Sequence, residues 1–396
     1  MTLGMGKKNA LVLTTVFIIT VLSQSAGMVD SSLPVSSTFS SGFHLLHDSS
    51  MSRNEAEEFC SVITACQSGT VLFGGNIDLR STQISDRELN AEFFPPYEGY
   101  GFVTLGRERY QKGYRTRTYR KRFAGMNEKG LAFAGSGVPP TSLTPHPERP
   151  FSGSYVDFLI KAMRECSNVA SVIELAQTFD WGDSLDGQYH FADSTGDAVV
   201  ISGGKDSELA FTRMEKEEGN LISTNFNLAD PESGNYPCWR YDTATEMLGE
   251  IGSKHDLTVD YFTSILDAIH VEGIWVDTAV SYIFDLKNGD IYLYYAYQFE
   301  DSAKMNFEEK MNEIDESSQL TASVFSAPLS ESSESQIYFF FQLYSKETLE
   351  EARSEIQKHK RQGYLCMAAG IIAGAVIVSG LSLFVYRKRK NLLKKT

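Results

Sequence analysis

From Cys60 to Asp78 the chain reads CSVITACQSGTVLFGGNID. Cys60, Val62, Thr64 and Cys66 fall on one face at period two, the alternation of a β-strand. Gln67-Ser68-Gly69 makes a turn. Thr70 to Phe73 then runs into Gly74-Gly75-Asn76, where glycine lets backbones approach closely. A hairpin of this form carries Asp78 back beside Cys60. Further on, Gly125-Met126-Asn127-Glu128-Lys129-Gly130-Leu131 has hairpin chemistry, with strand residues on both sides and Gly130 at a position of positive φ. Residues 154–180 predict two helices. Phe158, Leu159, Ala162, Met163 and Cys166 share one apolar face, and Val169, Val172, Ile173, Ala176 and Phe179 share the next. Both faces read as core, and Cys166 reads as a buried thiol.

Residues 188–214 predict paired strands around the turn Ser194-Thr195-Gly196-Asp197, with Asp193 and Asp197 as turn formers and not metal ligands. A strand then delivers Thr224-Asn225-Phe226, and after a polar loop Trp239-Arg240-Tyr241 opens a helix. Residues 257–271 read as another helix. Ala279 to Leu286 and Ile291 to Phe299 form a closing hairpin, in which Asn288-Gly289 is the signal for a two-residue type I′ turn.

The two ends differ from this middle. Lys7-Lys8 followed by the apolar run Ala10–Leu22 and then Ser23-Gln24-Ser25 has the layout of a secretory signal over residues 1–25, with an uncleaved anchor as the alternative. Residues 26–59 are Ser-rich and polar and read as a propeptide or a flexible leader. Residues 301–363 are acidic and Ser-rich and read as a stalk, with the patch Ile337 to Phe341 packing back on the domain. Leu365 to Tyr386 is an uncharged run of 22 residues, about 33 Å as a helix, which matches a bilayer core. The basic run Arg387-Lys388-Arg389-Lys390 follows at once. The expectation is one transmembrane helix at 364–386, a cytoplasmic basic tail at 387–396 and an extracellular main domain.

The chain of 396 residues carries a net charge of −15. Lys7, Lys8 and the six basic residues of the tail lie outside the acidic middle, which is therefore more negative still. Such a surface excludes nucleic acid as a partner, since phosphate binding needs a basic footprint. The five cysteines, 60, 66, 166, 238 and 366, show no zinc spacing. Cys60 and Cys66 lie about 20 Å apart along a strand, beyond disulfide reach. With Cys60 set aside as a nucleophile and Cys366 in the membrane, at most one disulfide remains among Cys66, Cys166 and Cys238. No cofactor is expected, and homo-oligomerisation stays open.

Cys60-Ser61 followed by Leu72-Phe73-Gly74-Gly75-Asn76-Ile77-Asp78 resembles the opening of the choloylglycine hydrolase and penicillin V acylase group. The related acyltransferases and acid-ceramidase-like amidases, all N-terminal nucleophile hydrolases of linear amides, are similar. The stretch GMNEKGLAFAGSGVP at 125–139, the stretch from Leu221 to Leu248 and the closing hairpin also resemble this group. The likeness covers residues 60–300. It implies an α+β fold, an αββα four-layer sandwich of two antiparallel sheets flanked by helices.

The resemblance also implies a chemistry. Cys60 would be the nucleophile and, once the bond after Phe59 is cut, its own α-amine the base. Asp78 would orient that amine, Asn225 would donate to the oxyanion, and Arg240 would hold positive charge near the sulfur. Taken singly, Asn225 reads as a strand-end residue and Arg240 as an ion-paired surface residue; in register with the other motifs they read as a site. Two departures stand out. Gly75 replaces an arginine of the bile-salt hydrolases, and Gly137 replaces a second oxyanion asparagine. The expected partner is a small N-acyl amide substrate. An acyltransferase on the same fold, or a surface binding protein without activity, are the rival readings.

Overall fold

In the computed structural model, residues 59–80, 89–96, 99–110, 118–215, 219–273, 275–321 and 336–339 are described, with scattered positions from 343 to 380. Residues 1–58 and 381–396, on which the expected signal, most of the expected leader, the end of the expected transmembrane run and the basic tail fall, lie outside the described residues.

β1 (Phe59–Gln67) and β2 (Thr70–Arg80) form the predicted hairpin, Cys60 opposite Ile77 and Phe59 opposite Asp78. Ser68 at φ 50° and Gly69 at φ 91° make its two-residue turn, the geometry that matches strand twist. Both faces of β1 are buried. Val62 packs into the space between two sheets, while Ile63 and Ala65 pack outward against helices. The near-continuous apolar reading of the segment follows from this double burial.

The strands that follow are β3 (Leu89–Phe94), β4 (Phe102–Tyr110), β5 (Thr118–Asn127), β6 (Ala132–Ser142) and the short β7 (Phe151–Ser152). Helices α1 (Tyr155–Glu165) and α2 (Val169–Gln177) come next, then β8 (Phe179–Asp180), β9 (Ser184–Ala192), β10 (Ala198–Gly203), β11 (Leu209–Arg213) and β12 (Asn220–Ser223). Helices α3 (Trp239–Leu248) and α4 (Val259–Ala268) precede β13 (Val276–Asp285), β14 (Asp290–Tyr295) and β15 (Ala303–Asn306). Helix α5 (Phe307–Thr321) and β16 (Gln336–Phe339) complete the set.

One sheet has the order β12-β1-β2-β13-β14-β15 and the other β11-β10-β9-β6-β5-β4-β3-β16, every pairing antiparallel. The largest apolar cluster lies between the sheets, with Val62, Phe73 and Tyr282 from one and Phe93, Val103 and Met126 from the other. A second cluster joins the eight-stranded sheet to α1 and α2 through Phe133, Phe158 and Phe191. A third joins the six-stranded sheet to α3 and α4 through Ile63, Phe262 and Ile265. The chain is thus an α+β protein with two antiparallel sheets and helices packed on their outer faces.

Both helices of the first pair begin where their caps dictate. The Ser154 and Asn168 side chains each accept the N3 backbone amide, in capping boxes closed by Asp157 and Ser171. The Asn127 side chain holds the β5–β6 turn to α1. Its Nδ2 donates to the Met163 and Cys166 carbonyls at 3.0 and 2.9 Å, and its Oδ1 accepts from the Lys129 and Leu131 amides. Asp193 serves its turn, accepting from Thr195, and also receives the Val169 amide at the start of α2.

The structure corrects two expectations. The closing hairpin is not a type I′ turn, because Gly289 but not Asn288 has positive φ. The Asp285 carboxylate accepts the Lys287 and Asn288 amides and widens the loop to four residues between Asp285 and Asp290. The region beyond residue 300 is not simply a stalk. Met305, Phe307 and Ile314 are buried in the inter-sheet core, and β16, within the aromatic patch expected to fold back, pairs with β3. Apolar residues spaced among the acidic ones produce this packing. All five cysteines are free thiols, Cys166 buried among them. Residues 361–370 are helical, and among the described residues no helix is long and apolar enough to cross a membrane.

Asn127 is 1% exposed, and its loss strands two buried carbonyls and two amides. Asn127→Ala is therefore expected to lower stability by about 3 kcal/mol, with a lower melting temperature in calorimetry.

Candidate active site

Cys60 sits at the start of β1, and its neighbours in the six-stranded sheet deliver the rest. β2 brings Asp78 opposite Phe59. β12 pairs with the other edge of β1, Val62 opposite Ser223, so that Asn225 leaves the sheet two residues later beside Cys60. β13 sets Thr278 opposite Asp78. Arg240 lies in the first turn of α3, which follows the loop from Asn225.

These groups form one hydrogen-bonded chain. The Cys60 backbone N–H donates to Asn225 Oδ1 at 2.9 Å. Arg240 Nη2 donates to the same oxygen at 2.7 Å, while its Nη1 donates to Ser61 Oγ and to Asp78 Oδ2, both at 3.1 Å. Thr278 Oγ1 donates to Asp78 Oδ1 at 2.6 Å. Two donors on Oδ1 fix the orientation of the Asn225 amide. Its Nδ2 donates to the Gly137 carbonyl at 2.9 Å. That contact competes with any donation to an oxyanion. Arg240 is 5% exposed and Asp78 fully buried, so Arg240 is not a surface residue.

Cys60, Asp78, Asn225 and Arg240 are all brought together. Sequence reading missed Ser61 and Thr278. Ser61 was adjacent to Cys60 and could have been paired with Arg240 from its outward strand parity. Thr278 carries no signal without the β2–β13 register.

Cys60 opens on a half-open pocket of about 110 Å³ lined by Phe123, Ser136, Gly137, Tyr155 and Tyr189 and by the charged Lys121, Arg122 and Asp186. Between the sheets, His190 bridges Thr64 Oγ1 and Ser223 Oγ at 2.9 and 3.0 Å. Burial pushes its pKa down to about 3, so it is a neutral structural link. Among the described residues no group of three or more His, Cys, Asp or Glu is placed to hold a metal ion.

Burial raises the Asp78 pKa from 3.8 to about 6, against the opposing pull of Arg240 and Thr278. A carboxyl whose folded pKa is raised adds stability that is fully present below pH 3.8 and lost as pH rises through about 6. The size is about 3 kcal/mol, from about 1.36 kcal/mol per pH unit. Urea unfolding between pH 4 and 6 is expected to show this falling component. Asp78→Asn is expected to remove it.

Comparison with known proteins places this geometry in context. No family model matches the chain, and no curated protein matches it. Solved structures do. An arginine-to-leucine variant of conjugated bile acid hydrolase from Clostridium perfringens superposes with a TM-score of 0.50 at 15% identity, over 72% of this chain and 97% of that one. A cysteine-to-alanine mutant of the same enzyme gives 0.49 at 16%, over 63% and 93%. Penicillin V acylase from Agrobacterium tumefaciens gives 0.46 at 14%, over 60% and 83%. By the first of these likenesses, and by its two packed antiparallel sheets, this chain has the fold seen in conjugated bile acid hydrolase.

Proposed function

We propose that this protein is a membrane-anchored, cell-surface hydrolase of non-peptide linear amides, working through a thioester on an N-terminal cysteine freed by self-processing. The observation that carries the reading is the buried chain Cys60–Asn225–Arg240–Asp78. It ties the nitrogen of the candidate nucleophile to a fixed acceptor, and that acceptor to a buried ion pair. A solvated or merely structural cysteine needs no such arrangement around its nitrogen.

In the continuous chain the Cys60 nitrogen is an amide and cannot act as a base. The Cys60 sulfur attacks the Phe59 carbonyl carbon. A C–S bond forms, the Phe59–Cys60 C–N bond breaks, and the nitrogen leaves as an amine carrying the thiol proton. Water then hydrolyses the thioester and releases the leader as a carboxylic acid. The new α-amine, with a pKa of about 7.7 to 8, is partly neutral near pH 7 and inherits Asn225 Oδ1 as its acceptor.

The same sulfur next attacks the substrate acyl carbon. The α-amine takes the thiol proton and passes it to the departing amine, leaving an acyl thioester that water hydrolyses. Arg240, bonded to Ser61 next to the nucleophile and to the Asn225 oxygen that holds its nitrogen, adds positive charge at this end of β1, which favours the thiolate. The Asn225 amide exchanges the Gly137 carbonyl for the developing oxyanion, a kind of donor whose loss costs about 2.7–4 kcal/mol of barrier.

The cavity supports a substrate class. The pocket beside Cys60 is half open, and the Phe123, Tyr155 and Tyr189 rings among its lining suit an apolar acyl group. The anchor follows from the 364–386 apolar run and the basic tail behind it.

A panel of N-acyl amides graded from acetyl through phenylacetyl to sterol and long alkyl acyl groups tests the reading. The purified protein is expected to release amine from at least one member of the panel, and Cys60→Ala to release none. Equal rates for wild type and Cys60→Ala, or no turnover across the panel, would overturn it.

A further inference from the structure

Gly75 pairs with residues on both of its neighbours, Val62 of β1 and Tyr282 of β13. Residues directly opposite in antiparallel strands point to the same side. Val62, Gly75 and Tyr282 therefore form one row facing the second sheet, and Val62 and Tyr282 both belong to the inter-sheet core. The middle place in the row holds no side chain. A Cβ at Gly75 would lie 3.1 Å from Tyr282 Oη and 2.1 Å from the Ser61 carbonyl oxygen. The Tyr282 phenol has therefore leaned across β2 into the space above Gly75, toward β1. On that face of β1 the next side chain after Val62 is Cys60, at the edge of the cavity.

The position is costly to fill with a phenol for packing alone. Tyr282 is 1% exposed, and phenylalanine would supply the same ring without a hydroxyl to bury. Its ring already packs with Phe73 and Phe284. Burial and the negative charge of an ionised Cys60 both hold the phenol well above its usual range, so the hydroxyl keeps its proton at any working pH. A protonated hydroxyl within electrostatic reach of a sulfur that becomes a thiolate can serve as a neutral donor to the developing charge.

We propose that Tyr282 is a positioning residue for the nucleophile, its hydroxyl reaching over Gly75 to stabilise the Cys60 thiolate. Gly75 leaves that space open, since a Cβ there would crowd the phenol at 3.1 Å and meet the Ser61 carbonyl oxygen at 2.1 Å. The role rests on the proposed nucleophilic function of Cys60, but it is readable without knowing the substrate.

The test is the pH dependence of Cys60 alkylation by iodoacetamide in the full-length protein, with Cys60 quantified by peptide mass spectrometry so that the other four thiols do not interfere. Tyr282→Phe keeps the ring, and an unchanged melting profile verifies the fold. The expected result is a Cys60 midpoint raised by about half to one pH unit, with alkylation three- to tenfold slower below it, and a matching fall in kcat/KM on any amide the wild type turns over. A wild-type midpoint in Tyr282→Phe overturns the proposal, whatever happens to stability. A shifted midpoint in a protein that hydrolyses no amide would leave the Tyr282–Cys60 link standing and sink the hydrolase reading instead.

Discussion

The buried ion pair between Arg240 and Asp78 is the constraint around which the rest is arranged. Neither group can be left alone in this interior, since breaking such a pair costs about 3–5 kcal/mol. The fold answers by surrounding both. Thr278 satisfies one oxygen of Asp78, and Arg240 spends its remaining donors on Ser61 and Asn225. Asn225 is thereby turned so that its oxygen meets the Cys60 nitrogen. Four strands and a helix N-terminus must dock for these bonds to exist together. The site is thus a product of sheet register: β12, β1, β2 and β13 are neighbours in that order, and a slip of one residue in any pairing would turn Asp78 or Cys60 to the wrong face.

The glycines of β2 serve the same end. Gly74 lets Phe262 of α4 press against the outer face of the sheet, and Gly75 lets Tyr282 cross the inner face. A strand with side chains at both places could not carry this interior. The central strand is therefore weak in its own propensity and is held by what packs across it, with β1 and β13 on its two edges.

Much of this was legible in the sequence because it is local. The β1–β2 hairpin follows from alternation and from Ser68-Gly69, and the two helices of residues 155–177 follow from apolar faces and caps. Cys60 and Asp78 could be paired because one hairpin joins them. Asn225 and Arg240 needed the resemblance, since nothing in their neighbourhood distinguishes them from ordinary turn and helix residues. Thr278 and Tyr282 were not legible, because their meaning comes from lying across β2 from Asp78 and Gly75, a pairing about 200 residues apart in the chain. The packing of the acidic segment after residue 300 was hidden for a different reason. Its charge dominates its composition, while a few apolar residues such as Phe307 and Ile314 decide its place. The Asn288-Gly289 turn was misread because a side chain, Asp285, outbid the local backbone preference.

Everything chemical in this account depends on Cys60 becoming a chain terminus, because only then does its nitrogen turn from an amide into a base. The most direct test is the intact mass and N-terminal sequence of the mature wild-type protein beside Cys60→Ala. The account predicts a wild-type chain that begins at Cys60 and a variant that keeps Phe59 and the residues before it. A wild-type chain that still carries Phe59 joined to Cys60 would contradict it.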